Sequence, residues 1–315
     1  MSEANARRLR RLAEELEEIG MPPGAGDPMF LEEVDYALRP VVFERRIASS
    51  GTILRPSAKA ANWHEATGLT ISRMPIGERP LKALRRLADG LSSWLVRPKN
   101  DLVLFDRPAG SERDLTVLAR VLDATLIQRH PSNVVRIVGE FGLLRWDGLA
   151  WHREPPVAKW LKKVTAGSFA GDTLAMEALV EFAIHDLAAS GVGALLVYQP
   201  DELLADGVEH RLPTPPPLDV RSPVHLAPLR HVLSQVDGAA VFDAAGILRH
   251  LGVRLVPSAD AEASVDGFRG TRHTNGRRYS FDHPTATVIA VSEDGPVSLL
   301  RAGEVLGQSG PAPGR

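Results

Sequence analysis

Residues 270–280 read Gly-Thr-Arg-His-Thr-Asn-Gly-Arg-Arg-Tyr-Ser, three arginines and a histidine around two glycines, in a chain of 315 residues with a formal net charge of −2. So local a concentration of cations suits an anion. Gly270 and Gly276 let the main chain approach a ligand closely. Thr271 offers a hydroxyl donor or the N-cap of a following helix. A helix starting there presents unpaired N–H groups and the positive end of its dipole, the usual setting for a phosphate. Arg272 adds a planar fork that matches phosphate oxygens, and His273 adds a second donor or a metal ligand. The group suits a polyphosphate; a solvated, arginine-rich loop fits these residues equally well.

An acidic partner would separate the two readings. Asp237-Gly238-Ala239 stands where a helical pattern hands over to an apolar strand, so Asp237 is expected at a strand end. Asp-Gly alone says little, because it also begins at Asp89, Asp147, Asp206, Asp266 and Asp294, where turn chemistry explains it. The order carries more: Asp-Gly-Ala, then Gly-Thr-Arg-His, then Val-Ser-Glu-Asp-Gly from Val291.

These groups need a scaffold, and the chain supplies two. Leu9, Leu12, Leu16 and Ile19 line one face of a helix ending near Gly20. Its arginines (Arg7, Arg8, Arg10, Arg11) precede its glutamates (Glu14, Glu15, Glu17, Glu18), which opposes the helix dipole, so packing must hold it. Residues 79–95 read as helix, 101–105 as strand and 114–130 as helix. Residues 133–152 read as two or three β-rich runs broken by Gly139, Gly142 and Asp147-Gly148. His64, Glu65 and His152 fall here without forming a constellation. Residues 156–171, with glycines and the lysines Lys162 and Lys163, read as a linker.

In the second half, Leu174, Ala178, Phe182 and Leu187 belong to an apolar helix that stops at Gly191, and Ala194–Tyr198 is a buried strand. The Gly-Val-Gly before that strand is no dinucleotide fingerprint, because the third glycine is missing and the strand follows the glycines. A short strand near Leu218, a helix over 223–235, strands over 239–242 and 247–256, and two strands around the turn at Glu293–Pro296 complete the pattern, with 257–269 read as loop. The expected architecture is α/β (α+β): a mixed sheet flanked by helices over 172–308, preceded by a smaller α/β domain over 1–155 and followed by a tail at 309–315.

Bulk composition narrows the functions. With 44% hydrophobic residues, each of two domains can bury a core. Charged residues make up 24% and the sequence pI is about 6.6, so no global basic field points to nucleic acid. Cysteine is absent, which excludes disulfides, thiolate catalysis and cysteine-ligated zinc. No long apolar run and no secretory leader pattern occurs, so a cytoplasmic protein without membrane contact is expected.

Taken together, Asp237-Gly238-Ala239, Gly270-Thr271-Arg272-His273 and Val291-Ser292-Glu293 resemble the diadenylate cyclase domain family, over about 172–308 and including the run from Gly191 to Tyr198. The resemblance implies a mixed sheet of about seven strands. It also implies condensation of two ATP to the second messenger cyclic di-AMP and pyrophosphate, using Mn²⁺ or Mg²⁺, across a homodimer or higher assembly. Carried over, Asp237 binds the metal and helps activate the 3′-hydroxyl, and Gly238 and Ala239 let the nucleotide close. Gly270, Thr271, Arg272 and His273 hold the phosphates, with His273 also a candidate metal ligand and Glu293 a further nucleotide contact. The family's second arginine is Thr274 here, for which Arg277 or Arg278 is expected to substitute. Asn275-Gly276 is expected to start the helix later. Residues 1–155 are then a regulatory or sensor domain. The alternative is a nucleotide-binding sensor that has lost the chemistry, and behind it an interaction protein whose arginines dock an acidic partner.

Overall fold

The computed structural model describes residues 3–21, 27–39, 42–43, 46–57, 64–65, 67–74, 79–154, 157–166, 169, 171–201, 208–209, 212–268, 270–293 and 296–309. The chain divides into two units, one running to Glu154 and the other following it. Among the described residues no helix is long and apolar enough to cross a membrane.

The first unit opens with α1 (Glu3–Glu18) and α2 (Pro28–Leu38), the latter capped by the Asp27 side chain on the Met29 N–H. Leu9, Leu12 and Leu16 of α1 are buried. Burying each contributes about 1.5–3 kcal/mol, whereas each misplaced surface charge costs about 0.3–1 kcal/mol. Packing therefore wins over the unfavourable charge order.

A ribbon, β1 (Val42–Phe43) and β2 (Arg46–Ile47), precedes eight strands: β3 (Ser50–Leu54), β4 (Ile71–Met74), β5 (Ser93–Arg97), β6 (Asp101–Phe105), β7 (Thr125–Arg129), β8 (Val135–Gly139), β9 (Gly142–Trp146) and β10 (Trp151–Glu154). Their order is β10-β9-β8-β7-β3-β5-β6-β4, parallel only between β3 and β5. Two helices interrupt them, α3 (Leu81–Leu87) and α4 (Glu112–Leu122). Alternation along the strands sends Ile53, Leu126 and Val138 toward α4, and Leu54, Ile127 and Ile137 toward α1 and α2.

Two expected helices are shorter than their apolar patterns. Residues 79–95 leave the helix after Leu87 because Asp89 Oδ1 accepts from the N–H groups of Leu91, Ser92 and Ser93, turning the chain so that Trp94 and Leu95 enter β5. Residues 114–130 leave theirs at Asp123, which is left-handed at φ 45°, and Thr125–Arg129 then pairs on both sides inside the sheet.

The second unit begins with α5 (Val157–Val164), inside the stretch read as linker, with Val157, Trp160, Leu161 and Val164 buried and Lys162 and Lys163 exposed. Then come α6 (Thr173–Phe182), which continues through a π turn and a 3₁₀ turn to Gly191, β11 (Ala194–Tyr198), β12 (Val208–Glu209) and α7 (Pro223–Gln235). The buried face of α6 is Ala175, Met176, Leu179, Val180 and Phe182, while Leu174 is 67% exposed. β13 (Ala239–Phe242) and β14 (Leu248–Leu255) follow as expected, and Asp219 near Leu218 makes only a single bridge to Ile247.

Residues 257–269 are not all loop. α8 (Ala259–Ser264) forms there because Ser258 Oγ accepts from the Ala261 N–H, while Asp282 binds Ser258 in turn. α9 (Thr271–Asp282) precedes β15 (Thr287–Val291), β16 (Val297–Arg301) and β17 (Glu304–Gln308), the last one strand more than the sequence pattern suggests. The tail beyond 309 and the tip of the turn after Glu293 lie outside the described residues. The seven strands form one mixed sheet, β12-β14-β13-β11-β15-β16-β17. One face carries α5, α6 and α7 over Leu196, Phe242 and Ile289; the other carries α9 over Leu195, Val241 and Val288.

Candidate functional site

β11 lies at the centre of the second sheet, parallel to β13 and antiparallel to β15, with Leu195 opposite both Ala239 and Ala290. That register brings three chain segments to one end of the sheet: Gly193 entering β11, Asp237-Gly238 entering β13 and Ser292-Glu293 leaving β15. Two strand spacings, about 10 Å, separate the first and last of the acidic pair.

α9 starts over this end. Gly270, at φ 114°, is its N-cap, has open space around its Cα and supplies no side-chain cap. The first backbone bond of the helix runs from the Thr274 N–H to the Gly270 carbonyl, leaving the N–H groups before it directed outward. Thr271 is exposed. The helix is anchored from its far side: Tyr279 is fully buried among the strand residues, and burial pushes its phenol well above the usual range. Gly276 does not delay the helix. It lies inside α9, against Leu195, Val288 and Leu300, where an added Cβ would come within 2.9 Å of Val288.

Arg272 is the cation that remains at this helix start. Its Nη1 donates to Glu293 Oε1 at 3.2 Å, and both side chains are well exposed. Gly193 lies directly beneath the pair: a Cβ there would sit 2.4 Å from Arg272 Nη1 and 2.8 Å from Glu293 Cγ. Gly193 thus determines where the guanidinium and carboxylate rest. Its signal in the sequence is the Gly-Val-Gly step before a buried strand.

Asp237 is exposed and makes no hydrogen bond or ion pair among the described residues. Gly238 has φ 103°, and a Cβ would meet the main chain of Gly252 at 2.8 Å. That glycine is required by the close approach of β14, and it stays exposed at the strand end. Ala239 is in the core, 1% exposed.

The remaining expected contacts fall elsewhere. His273 is 2% exposed, with Phe268 edge-on at 6.1 Å, so its ring faces the interior and not the strand-end surface where Asp237 lies. Thr274 Oγ1 accepts from the Phe268 N–H at 2.9 Å and donates to the Phe268 carbonyl at 3.1 Å, tying down the approach to α9. Arg277 Nε donates to the Gly303 carbonyl at 2.6 Å, and Arg278 Nε to that of Val265 at 3.2 Å. The two arginines expected to replace the family's missing cation hold neighbouring loops in place.

Among the described residues no group of three or more acidic or histidine side chains could share a metal. The donors present fit a divalent cation that shares one carboxylate, that of Asp237, with a substrate's phosphates. They do not fit His273 as its ligand.

In the first unit, His64 Nδ1 lies 3.0 Å from the Leu69 carbonyl, and His152 Nε2 lies 2.8 Å from Asp147 Oδ2. The Ala150 N–H, joined by those of Leu149 and the His152 ring, holds the Asp147 carboxyl down at about 2 against partial desolvation. Each histidine closes a local turn.

Comparison with known proteins follows this division. Residues 181–305 match the family described as "DisA bacterial checkpoint controller nucleotide-binding", and residues 10–154 match "Probable sensor domain DACNK". Among solved structures, a hypothetical membrane spanning protein from Bacillus cereus is 22% identical, with a TM-score of 0.32, over 40% of this chain and 59% of that one. The chain therefore spans 59% of that protein's length. A double mutant of DacA from Staphylococcus aureus is 19% identical, with a TM-score of 0.28, over 42% of this chain and 83% of that one. Comparison with curated proteins finds no match.

Proposed function

We propose that the C-terminal unit, which carries a domain of the diadenylate cyclase family at 181–305, binds ATP at the sheet end and condenses two ATP molecules to cyclic di-AMP. The observation that carries this reading is the register that gathers Asp237, Gly193, Glu293 and the start of α9 at one edge. In each of two symmetric steps the 3′-oxygen of one ATP bonds to the α-phosphorus of the other. The bond from that phosphorus to the pyrophosphate oxygen breaks, and the hydroxyl proton passes to solvent water.

Positioning and charge neutralisation supply most of such catalysis. Asp237 orients the attacking hydroxyl. The α9 N–H groups and Arg272 take the phosphate charge once Arg272 turns from Glu293 to the ligand. Mn²⁺ or Mg²⁺, held by Asp237 and the phosphates, would supply further charge neutralisation. Each domain brings one ATP, so a homodimer or larger assembly is needed for turnover. We assign residues 1–155 as the regulatory domain, 172–308 as the cyclase domain, and the cytoplasm as the compartment.

A second reading, a nucleotide-binding sensor without turnover, is favoured by one observation: Thr274, Arg277 and Arg278 are engaged with main-chain carbonyls, so fewer cations are available than in the family pattern. Thermal unfolding with increasing ATP and Mn²⁺, run beside product analysis, separates the two. Both readings require ATP to raise the melting temperature and Arg272→Ala to reduce that rise; stabilisation without product selects the sensor. An unchanged melting temperature at millimolar ATP overturns both.

A further inference from the structure

The first unit contains a groove of about 750 Å³ between α1, the end of α2 and the β9–β10 hairpin, lined by residues including Arg7, Arg8, Arg11, Arg39, Trp146 and Trp151. Small-molecule sites commonly occupy roughly 300–1,000 Å³. Its chemistry has two halves.

The aromatic half is the indole pair. Trp146 and Trp151 are direct cross-strand partners, their rings 5.4 Å apart and tilted by 53°, and both are only partly buried. The Trp151 Nε1–H is buried with no acceptor among the described residues.

The cationic half is the arginine row on α1. Arg8 is fixed by a bidentate contact with Asp35, both bonds at 2.8 Å. Arg7 and Arg11 are about four-fifths exposed and meet Glu3 and Glu15 only at 3.8 and 3.6 Å. Such loose surface pairs contribute little and exchange readily for a better anion. Arg39, also at the rim, shares Asp35 with Arg8. Four arginines thus meet three carboxylates: Arg7, Arg8 and Arg11 of α1 with Glu3 and Glu15 of the same helix and Asp35 of α2, which also takes Arg39 at the end of α2. An anion there relieves the charge order that the helix otherwise carries at a cost.

We propose that this groove binds a nucleoside phosphate, its base against the indole pair and its phosphate on Arg7 and Arg11. Inorganic phosphate leaves the indoles unused, and a neutral aromatic leaves the arginines unused. A flat membrane surface does not enter the concave space between helix and hairpin. The proposal is independent of ATP binding in the C-terminal unit.

Its test is a tryptophan-fluorescence titration of the full chain carrying Arg272→Ala, with AMP, GMP, adenosine, inorganic phosphate and phosphatidylglycerol vesicles as probes. AMP or GMP is expected to give a saturable change that adenosine and phosphate do not reach at the same concentration. Arg7→Gln combined with Arg11→Gln, and separately Trp146→Ala, are each expected to weaken it by about tenfold or more. Arg7 and Arg11 are exposed, so their exchange leaves α1 packed, and unchanged circular dichroism checks this. Absence of a response to either nucleotide, a response that survives both sets of substitutions, or a response to vesicles alone overturns the proposal.

Discussion

At Gly193 the absence of a Cβ leaves the Arg272 guanidinium its resting place, from which it turns to the ligand in the proposed reaction. A Cβ at this position would stand 2.4 Å from the Arg272 guanidinium, the far end of a flexible side chain, so the fold can adapt while the site cannot. Gly193→Ala is expected to change stability by less than about 1 kcal/mol and to weaken ATP binding about tenfold. Gly238→Ala is the contrasting case. Its φ of 103° and the Gly252 main chain 2.8 Å away leave no room, so a loss of about 1–3 kcal/mol from backbone strain alone is expected. Denaturant midpoints and calorimetric ATP titrations on both variants measure the split. A Gly193→Ala protein that binds ATP normally would separate the Arg272–Glu293 pair from the nucleotide site.

At the scale of elements, buried ions tie the first unit together. Glu33 of α2, its side chain fully buried, takes Arg85 of α3 at 2.7 and 3.0 Å, Arg97 of β5 at 2.5 Å and the Thr52 hydroxyl of β3 at 3.1 Å. Removing one partner of such a group strands the others, so Glu33→Ala is expected to cost about 3–5 kcal/mol. A loss under about 1 kcal/mol in urea unfolding would show that the cluster is solvated.

Elements with one strong periodicity were legible in the sequence: Leu9, Leu12 and Leu16 in α1, the apolar run of β11, and the pairs β13–β14 and β15–β16. Helix endings were less so, because Asp89 and Asp123 stop helices through side-chain acceptance and left-handed geometry that hydrophobic pattern does not register. Short amphipathic pieces escaped for the same reason. α8 depends on a single Ser258 cap, and α5 shows its purpose only when Trp160 is seen over Gly307 of β17. Motif order located the strand-end group, but spacing on a helix could not reveal which side chains turn inward. His273, Thr274, Arg277 and Arg278 are neighbours of Arg272 in sequence, yet the first two meet Phe268, Arg277 meets Gly303 and Arg278 meets Val265.

At the scale of the whole molecule, two units with separate cores carry two chemistries. The first has an aromatic and cationic groove, the proposed nucleoside phosphate site. The second has an open helix start, an exposed carboxylate at Asp237 and the Arg272–Glu293 pair, the proposed nucleoside triphosphate site. The proposed condensation takes one ATP from each of two nucleotide domains, so turnover per molecule is expected to rise with protein concentration until assembly is complete. The most direct test incubates the purified full chain with ATP and Mn²⁺ and resolves the products by mass, beside Asp237→Asn and Arg272→Ala. The account predicts cyclic di-AMP and pyrophosphate from the wild-type chain and loss of both from each variant. ATP left unconverted by wild-type protein at every concentration, or product made equally by Asp237→Asn, would contradict it.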